Sequence, residues 1–209
     1  SAASDVYKRQ GMEDVMLETG REGPWYVSYT EARRSAMRAG KPLLIWFTNT
    51  QFSPLCRSLD KEVFSRGSFG EWAGDAVVRL RLDFNVKGES RDEGRSAMDD
   101  KIRKENYLED LKRQYNVQGF PTVLLVSAHG KVAARYRGYR KSYSDFYEAR
   151  VRNDTKKAIG LHAEWRNSMS RRGYRQWTDE DGREVFARLS RYRAGPVSYT
   201  HLRAHETAT

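Results

Sequence analysis

Hydrophobic and polar positions switch between helical and extended periods along this chain, and the switches outline its elements. From Trp25 to Ala39 a short extended entry gives way to a helical stripe at Ala32, Ala36 and Ala39, which Gly40-Lys41-Pro42 stops. Pro42-Leu43-Leu44-Ile45-Trp46-Phe47 is the longest apolar run, and its length suits a strand covered on both faces. Ser53-Pro54 then offers a helix its N-cap and first-turn proline, with Leu55, Leu59, Val63 and Phe64 at helical spacing behind. Val77 to Phe84 alternates as a strand does, and Lys87 to Arg95 reads as a charged loop. A helix is predicted from about Asp99 to Tyr115, with Ile102, Leu108, Leu111 and Tyr115 near one face. Thr122 to Ser127 and Val132 to Tyr136 pair as a hairpin around His129-Gly130. Tyr143 to Trp165 closes the series as a helix carrying Tyr147, Val151, Ala158 and Trp165 near one stripe. The order β-α-β-α-β-α-β-β-α predicts one mixed sheet covered by helices.

Composition narrows the chemistry. Cys56 is the single cysteine, so no internal disulfide can form. The formal charge of +10 would suit an anionic partner, yet Lys and Arg alternate with Asp and Glu along most of the chain, as on a solvated basic surface. No apolar run approaches the roughly 18–20 residues of a membrane helix. His129 and His162 are too scattered beside Cys56 for a zinc constellation, so neither a metal nor a cofactor is expected.

The two ends carry a different signature. Asp5-Val6-Tyr7-Lys8-Arg9-Gln10 and the stretch from Pro196 to Thr207 resemble peptides translated from sequencing-adapter DNA in environmental gene sets. Residues 1–10 and 196–209 are therefore set apart from fold reasoning, and a signal peptide before Gly11 is left open. Without them the charge is +9, so the basicity belongs to the interior.

The interior resembles the thioredoxin-like family, in the subgroup similar to the C-terminal domain of DsbD. Ala32 to Thr48 fits A-x-x-x-A-x-x-x-G-K-P-L-L-x-x-F-T, and Leu59-Asp60-Lys61-Glu62-Val63-Phe64 fits its L-D-K-E-V-F. Tyr115 to Thr122 fits Y-x-V-x-x-x-P-T, the entry to a cis-proline loop. The resemblance implies a thioredoxin-like central mixed sheet flanked by helices over residues 25–166, preceded by a lead-in at 11–24.

It also implies a redox turn at Phe52-Ser53-Pro54-Leu55-Cys56, and here the chain departs from the family. The family's attacking cysteine is a thiolate at a helix N-terminus, resolved by a second cysteine one turn later. Ser53 takes the first position and Cys56 the second, while Trp46, seven residues before Ser53, takes the place of the buried acid. An indole cannot serve as that base. Ser53 is then either a vestige or a plain helix N-cap. Cys56 is either a small, half-buried apolar residue or a lone thiol, acidified by the helix N-terminus and Arg57, that captures glutathione or a partner's thiol. Beside Pro121 the resemblance implies backbone free to pair with an extended client. Phe52, Phe120, Pro121 and Thr122 would line that groove, though plain packing under the turn explains the two phenylalanines equally.

Residues 174–195 read as a strand, an Asp-rich turn and an alternating strand. Arg175, Trp177, Thr178, Asp179, Gly182, Arg183, Ala187 and Leu189 resemble the opening of an SLA-one homology domain, a small protein-interaction module. The fragment is a truncated β-hairpin, joined by a Ser- and Arg-rich linker at 167–173.

The function expected is that of a redox-degenerate domain that binds extended protein segments or acts as a scaffold. The alternative is a monothiol thiol-disulfide protein acting through Cys56. A third reading takes Arg135-Tyr136-Arg137-Gly138-Tyr139-Arg140-Lys141 as a single-stranded nucleic-acid site; a solvated strand end is favoured over it. The resemblance favours a bacterial, exported or periplasmic protein.

Overall fold

The computed structural model describes residues 21–86, 95–178, 182, 184–193 and 199–204. Residues 1–10, the lead-in as far as residue 20, the loop 87–94, and Asp179, Glu180, Asp181 and Arg183 of the C-terminal turn lie outside the described residues. So do 196–198 and 205–209.

β3 (Leu43–Thr48) forms because its apolar run can be covered on both faces, and every one of its residues is buried. It pairs in parallel with β4 (Val78–Asp83) and antiparallel with β5 (Thr122–Val126). A hairpin of β1 (Arg21–Glu22) and β2 (Trp25–Tyr26) extends the β4 side, and β6 (Val132–Arg137) forms the far edge. The order across this six-stranded sheet is β1-β2-β4-β3-β5-β6.

Strand alternation divides the core. Leu43, Ile45 and Phe47 meet α1 (Tyr29–Ala39) and α4 (Arg95–Gln114) through Ala32, Ala36, Leu108 and Leu111. Leu44 and Trp46 face the opposite layer, built from α2 (Pro54–Leu59), α3 (Gly67–Ala76) and α5 (Ser144–Arg171). Between α2 and α3 the chain widens into a π turn at Asp60–Phe64 that still buries Val63 and Phe64. α1 begins at Ser28, whose hydroxyl accepts from the Glu31 amide, and ends at Gly40 with φ 63°, a left-handed conformation that suits glycine.

The mixed α/β sheet agrees with expectation; three local readings are corrected. α3 was absent from the predicted order. Its glycines, Gly67, Gly70 and Gly74, hide the helix by lowering its propensity, yet Phe69 and Ala73 bury a stripe. Ile102 is exposed, whereas Leu108, Leu111 and Tyr115 are buried against the sheet. α5 runs to Arg171, so most of the expected linker 167–173 is the helix's last turns, with Met169 buried. The expected C-terminal hairpin is present as β7 (Arg175–Thr178) and β8 (Glu184–Arg193), and β9 (Tyr199–Ala204) pairs with β8 as a third strand. That third strand falls within the segment that resembles adapter sequence.

Candidate functional site

Because β3 lies at the sheet centre, it delivers the chain to the start of α2 in the middle of one sheet edge. There Ser53 adopts an extended backbone, and its hydroxyl accepts from the Cys56 amide at 3.3 Å. This is N-cap geometry, with Pro54 at the first helical position. The turn before it is tied down from several sides. The Ser53 amide donates to the Asn49 carbonyl at 3.0 Å, and the Phe52 amide donates to Asn49 Oδ1 at 3.3 Å. The Arg57 guanidinium donates to the carbonyls of Thr50 and Gln51 at 2.9 and 3.0 Å. Thr50 Oγ1 donates to Asp83 Oδ2 at 2.6 Å.

Two expectations change here. Cys56 is fully buried in the helical layer of the core, not half-buried. The Arg57 guanidinium, expected to act on the thiol, is spent on the turn's carbonyls. Asp83 was not foreseen as a buttress. The sequence signal was an aspartate at a strand end two residues before Asn85, whose amide it also accepts, at 3.0 Å.

Trp46 is fully buried, with its ring centroid 5.6 Å from that of Trp25 and 4.9 Å from that of Phe64. Its Nε1 has no hydrogen-bond partner among the described residues. The position where the family resemblance implies an acid is thus part of an aromatic cluster.

Across the edge, the Phe120–Pro121 peptide is cis. Thr122 is buried, and its hydroxyl donates to the Gly119 carbonyl at 2.7 Å. Pairing of β5 with both neighbours starts at Thr122, so Phe120 stands outside both ladders. The two phenylalanines part company. Phe120 is half-buried against Phe84, centroids 4.7 Å apart, with the Lys112 ammonium 5.7 Å from each ring. Phe52 is 73% exposed.

The other candidates lie elsewhere. His129 and His162, expected to be scattered, stack with centroids 5.7 Å apart and both lie against Trp165. Even so, no group of three or more potential metal-binding side chains occurs among the described residues. Burial, with help from Arg166, lowers the His162 pKa. In the Arg135–Lys141 segment, Tyr136 and Tyr139 are buried and donate to Asp154 and Glu62, both at 2.6 Å. The Tyr139 hydroxyl and the Ser142 amide hold Glu62 below the usual carboxylate range. Burial pushes the Asp154 pKa up, but bonds from Lys157 and Tyr136 outweigh it and the net shift is down. In the C-terminal sheet Trp177 Nε1 donates to the Ala187 carbonyl at 2.9 Å, and Gly182 takes φ 76°.

A central mixed sheet, a helix starting at its edge and an opposing cis-proline loop define a thioredoxin-like domain. The chain belongs to that family: the thioredoxin-like domain model matches residues 29–149. It is 27% identical over 129 residues to the disulfide bond reductase DsbH of Chlamydia pneumoniae, covering 62% of this chain and 71% of that protein. Among solved structures, DsbH oxidoreductase is 22% identical with a TM-score of 0.46, covering 67% of this chain and 92% of its own. A thioredoxin from Thermus thermophilus is 21% identical with a TM-score of 0.43, covering 60% and 83%. The chain is a thioredoxin-like domain related to DsbH-type disulfide oxidoreductases. No helix among the described residues is long and apolar enough to cross a membrane.

Proposed function

We propose that this domain has lost dithiol exchange and holds extended protein segments against the loop 119–122. The observation that carries this reading is the fate of the two redox positions. Ser53 spends its hydroxyl capping α2, and Cys56 is fully buried behind it. A serine hydroxyl is a poor nucleophile toward sulfur at neutral pH. Phe52 and the unpaired backbone at Phe120 supply the kind of apolar contact and main-chain pairing that an extended segment uses. No cofactor is required. The role is that of a binding or scaffold module, joined to the C-terminal β sheet as an interaction element, and an exported location accords with the family resemblance.

A second reading follows from the retained Cys56 and the likeness to a protein named as a disulfide bond reductase. In it the Cys56 thiolate attacks glutathione disulfide, forming a Cys56–glutathione disulfide and releasing one glutathione thiolate. Complete burial of Cys56 opposes it.

Two assays separate these readings. Insulin reduction driven by dithiothreitol is expected to stay at the uncatalysed rate, and turnover comparable with an ordinary thioredoxin overturns the proposal. Iodoacetamide is expected to label Cys56 only after denaturation; rapid labelling of the folded protein moves the conclusion to the monothiol reading.

A further inference from the structure

The basic and aromatic segment Arg135–Lys141 takes no part in the redox turn, yet the fold places it along a cleft of about 460 Å³ beside β6, the start of α5 and Leu55 of α2. Four lining residues are arginines, Arg135, Arg137, Arg140 and Arg150, and none is a carboxylate. The carboxylates around it are already engaged. Asp154 accepts from Tyr136 and Lys157, each at 2.6 Å; Glu62 accepts from Tyr139 and the Ser142 amide; Asp145 pairs with Arg66 at 2.6 Å.

The arginines differ in how far they are spent. Arg135 donates to the carbonyls of Tyr115 and Asn116, and Arg150 sits over the Tyr136 ring, 4.0 Å from Asp154. Arg137 and Arg140 are exposed and form no ion pair among the described residues; Arg140 lies over the Tyr143 ring at 4.3 Å. Beneath them the cleft presents Leu55, Tyr143 and Phe146, the last 66% exposed.

We infer that this cleft takes an acidic polypeptide segment that also carries apolar side chains. A simple anion would leave Leu55 and Phe146 uncovered, and an apolar segment would leave the arginines without countercharge. The loop 119–122 is a neighbour of the cleft: the amide of Gly138, which lines it, donates to the Pro121 carbonyl at 2.8 Å. β6 is the outermost strand on this side, so an extended segment can also pair with its free edge. Single-stranded nucleic acid fits less well. The interleaved tyrosines that would stack on bases are buried, with their hydroxyls bonded to Asp154 and Glu62. The inference rests on the proposed peptide-binding function and names its client: a segment whose acidic, apolar portion runs past the loop 119–122.

The test is fluorescence anisotropy with three labelled probes: a dodecapeptide alternating Glu and Leu, its Gln-Leu counterpart, and oligo(dT). Exposed charge pairs are individually weak, so the wild-type chain is expected to prefer the Glu probe over the Gln probe by about tenfold, with the preference shrinking as salt rises. The double substitution Arg137→Glu/Arg140→Glu, at exposed positions, removes the preference, lowering the Glu probe's affinity more than the Gln probe's. Phe52→Ala weakens both peptides together and keeps the preference. Equal binding of the two peptides, binding of neither, persistence of the preference in the double variant, or tighter binding of oligo(dT) overturns the inference. If the arginine substitutions abolish the preference while Phe52→Ala changes nothing, the acidic cleft stands and the groove at Phe52 fails.

Discussion

Ser53, which the family resemblance sets at the attacking cysteine's position, works in this structure as the N-cap of α2. The hydroxyl accepts from the Cys56 amide, and removing such a cap costs about 1 kcal/mol of stability. Cys56 follows Ser53 within the first turn of α2. Residues i and i+3 at a helix start bring their α-carbons to about 5–6 Å, within disulfide range. Ser53→Cys is therefore expected to form an intramolecular disulfide with Cys56 under mild oxidant, read as the loss of both free thiols in a monomer of otherwise unchanged mass. A folded variant that keeps both thiols would show that Ser53 does not stand at the attacking position. Insulin turnover by the oxidisable variant is expected to stay slow, because Trp46 brings no carboxylate to handle the proton.

β3 explains at the scale of an element why that acid is not easily restored. Its alternation sends Trp46 into the layer under α2, where Trp25 and Phe64 enclose it. Trp46→Asp leaves a cavity and buries a carboxylate, and the combined loss is about 3–5 kcal/mol or more, read as a lowered urea midpoint. Trp46→Phe keeps a ring and removes an indole N–H that has no partner among the described residues, so its cost is expected to be much smaller. Equal midpoints for the two variants would contradict the packing described. The strand was legible from its apolar run and α2 from Ser53-Pro54. α3 was not, since its three glycines speak against a helix that the burial of Phe69 and Ala73 nevertheless stabilises.

At the scale of the whole molecule, a ring seam joins α5 to the C-terminal sheet. His129, His162 and Trp165 lie against one another, and Trp165 meets Phe186 of β8 at 5.6 Å. Burial and Arg166 lower the His162 pKa, so the folded chain binds fewer protons than the unfolded chain below the ordinary histidine value of about 6.5. The stability tied to neutral His162 is complete above that value and is lost as pH falls towards the lowered folded pKa. Thermal midpoints of the full chain are expected to fall through that window, and His162→Phe is expected to flatten the fall. An unchanged slope in the variant would remove His162 as the cause.

The sequence alone determined the strands β3, β5 and β6 and the caps at Ser53 and Gly40, while the place of the 119–122 loop came from the family resemblance. Each is written in residues a few positions apart, because strand alternation, helical stripes and turn chemistry act over a turn or less. Tertiary structure decided what those residues meet. It buried Cys56 completely, turned Arg57 to the carbonyls of its own turn, set Phe120 against Phe84 and left Phe52 in solvent. It also brought Tyr139 to Glu62 across 77 positions of chain and His129 to His162. Such contacts depend on how β3, β5 and β6 lie side by side and which helices cover them, and no local period encodes that.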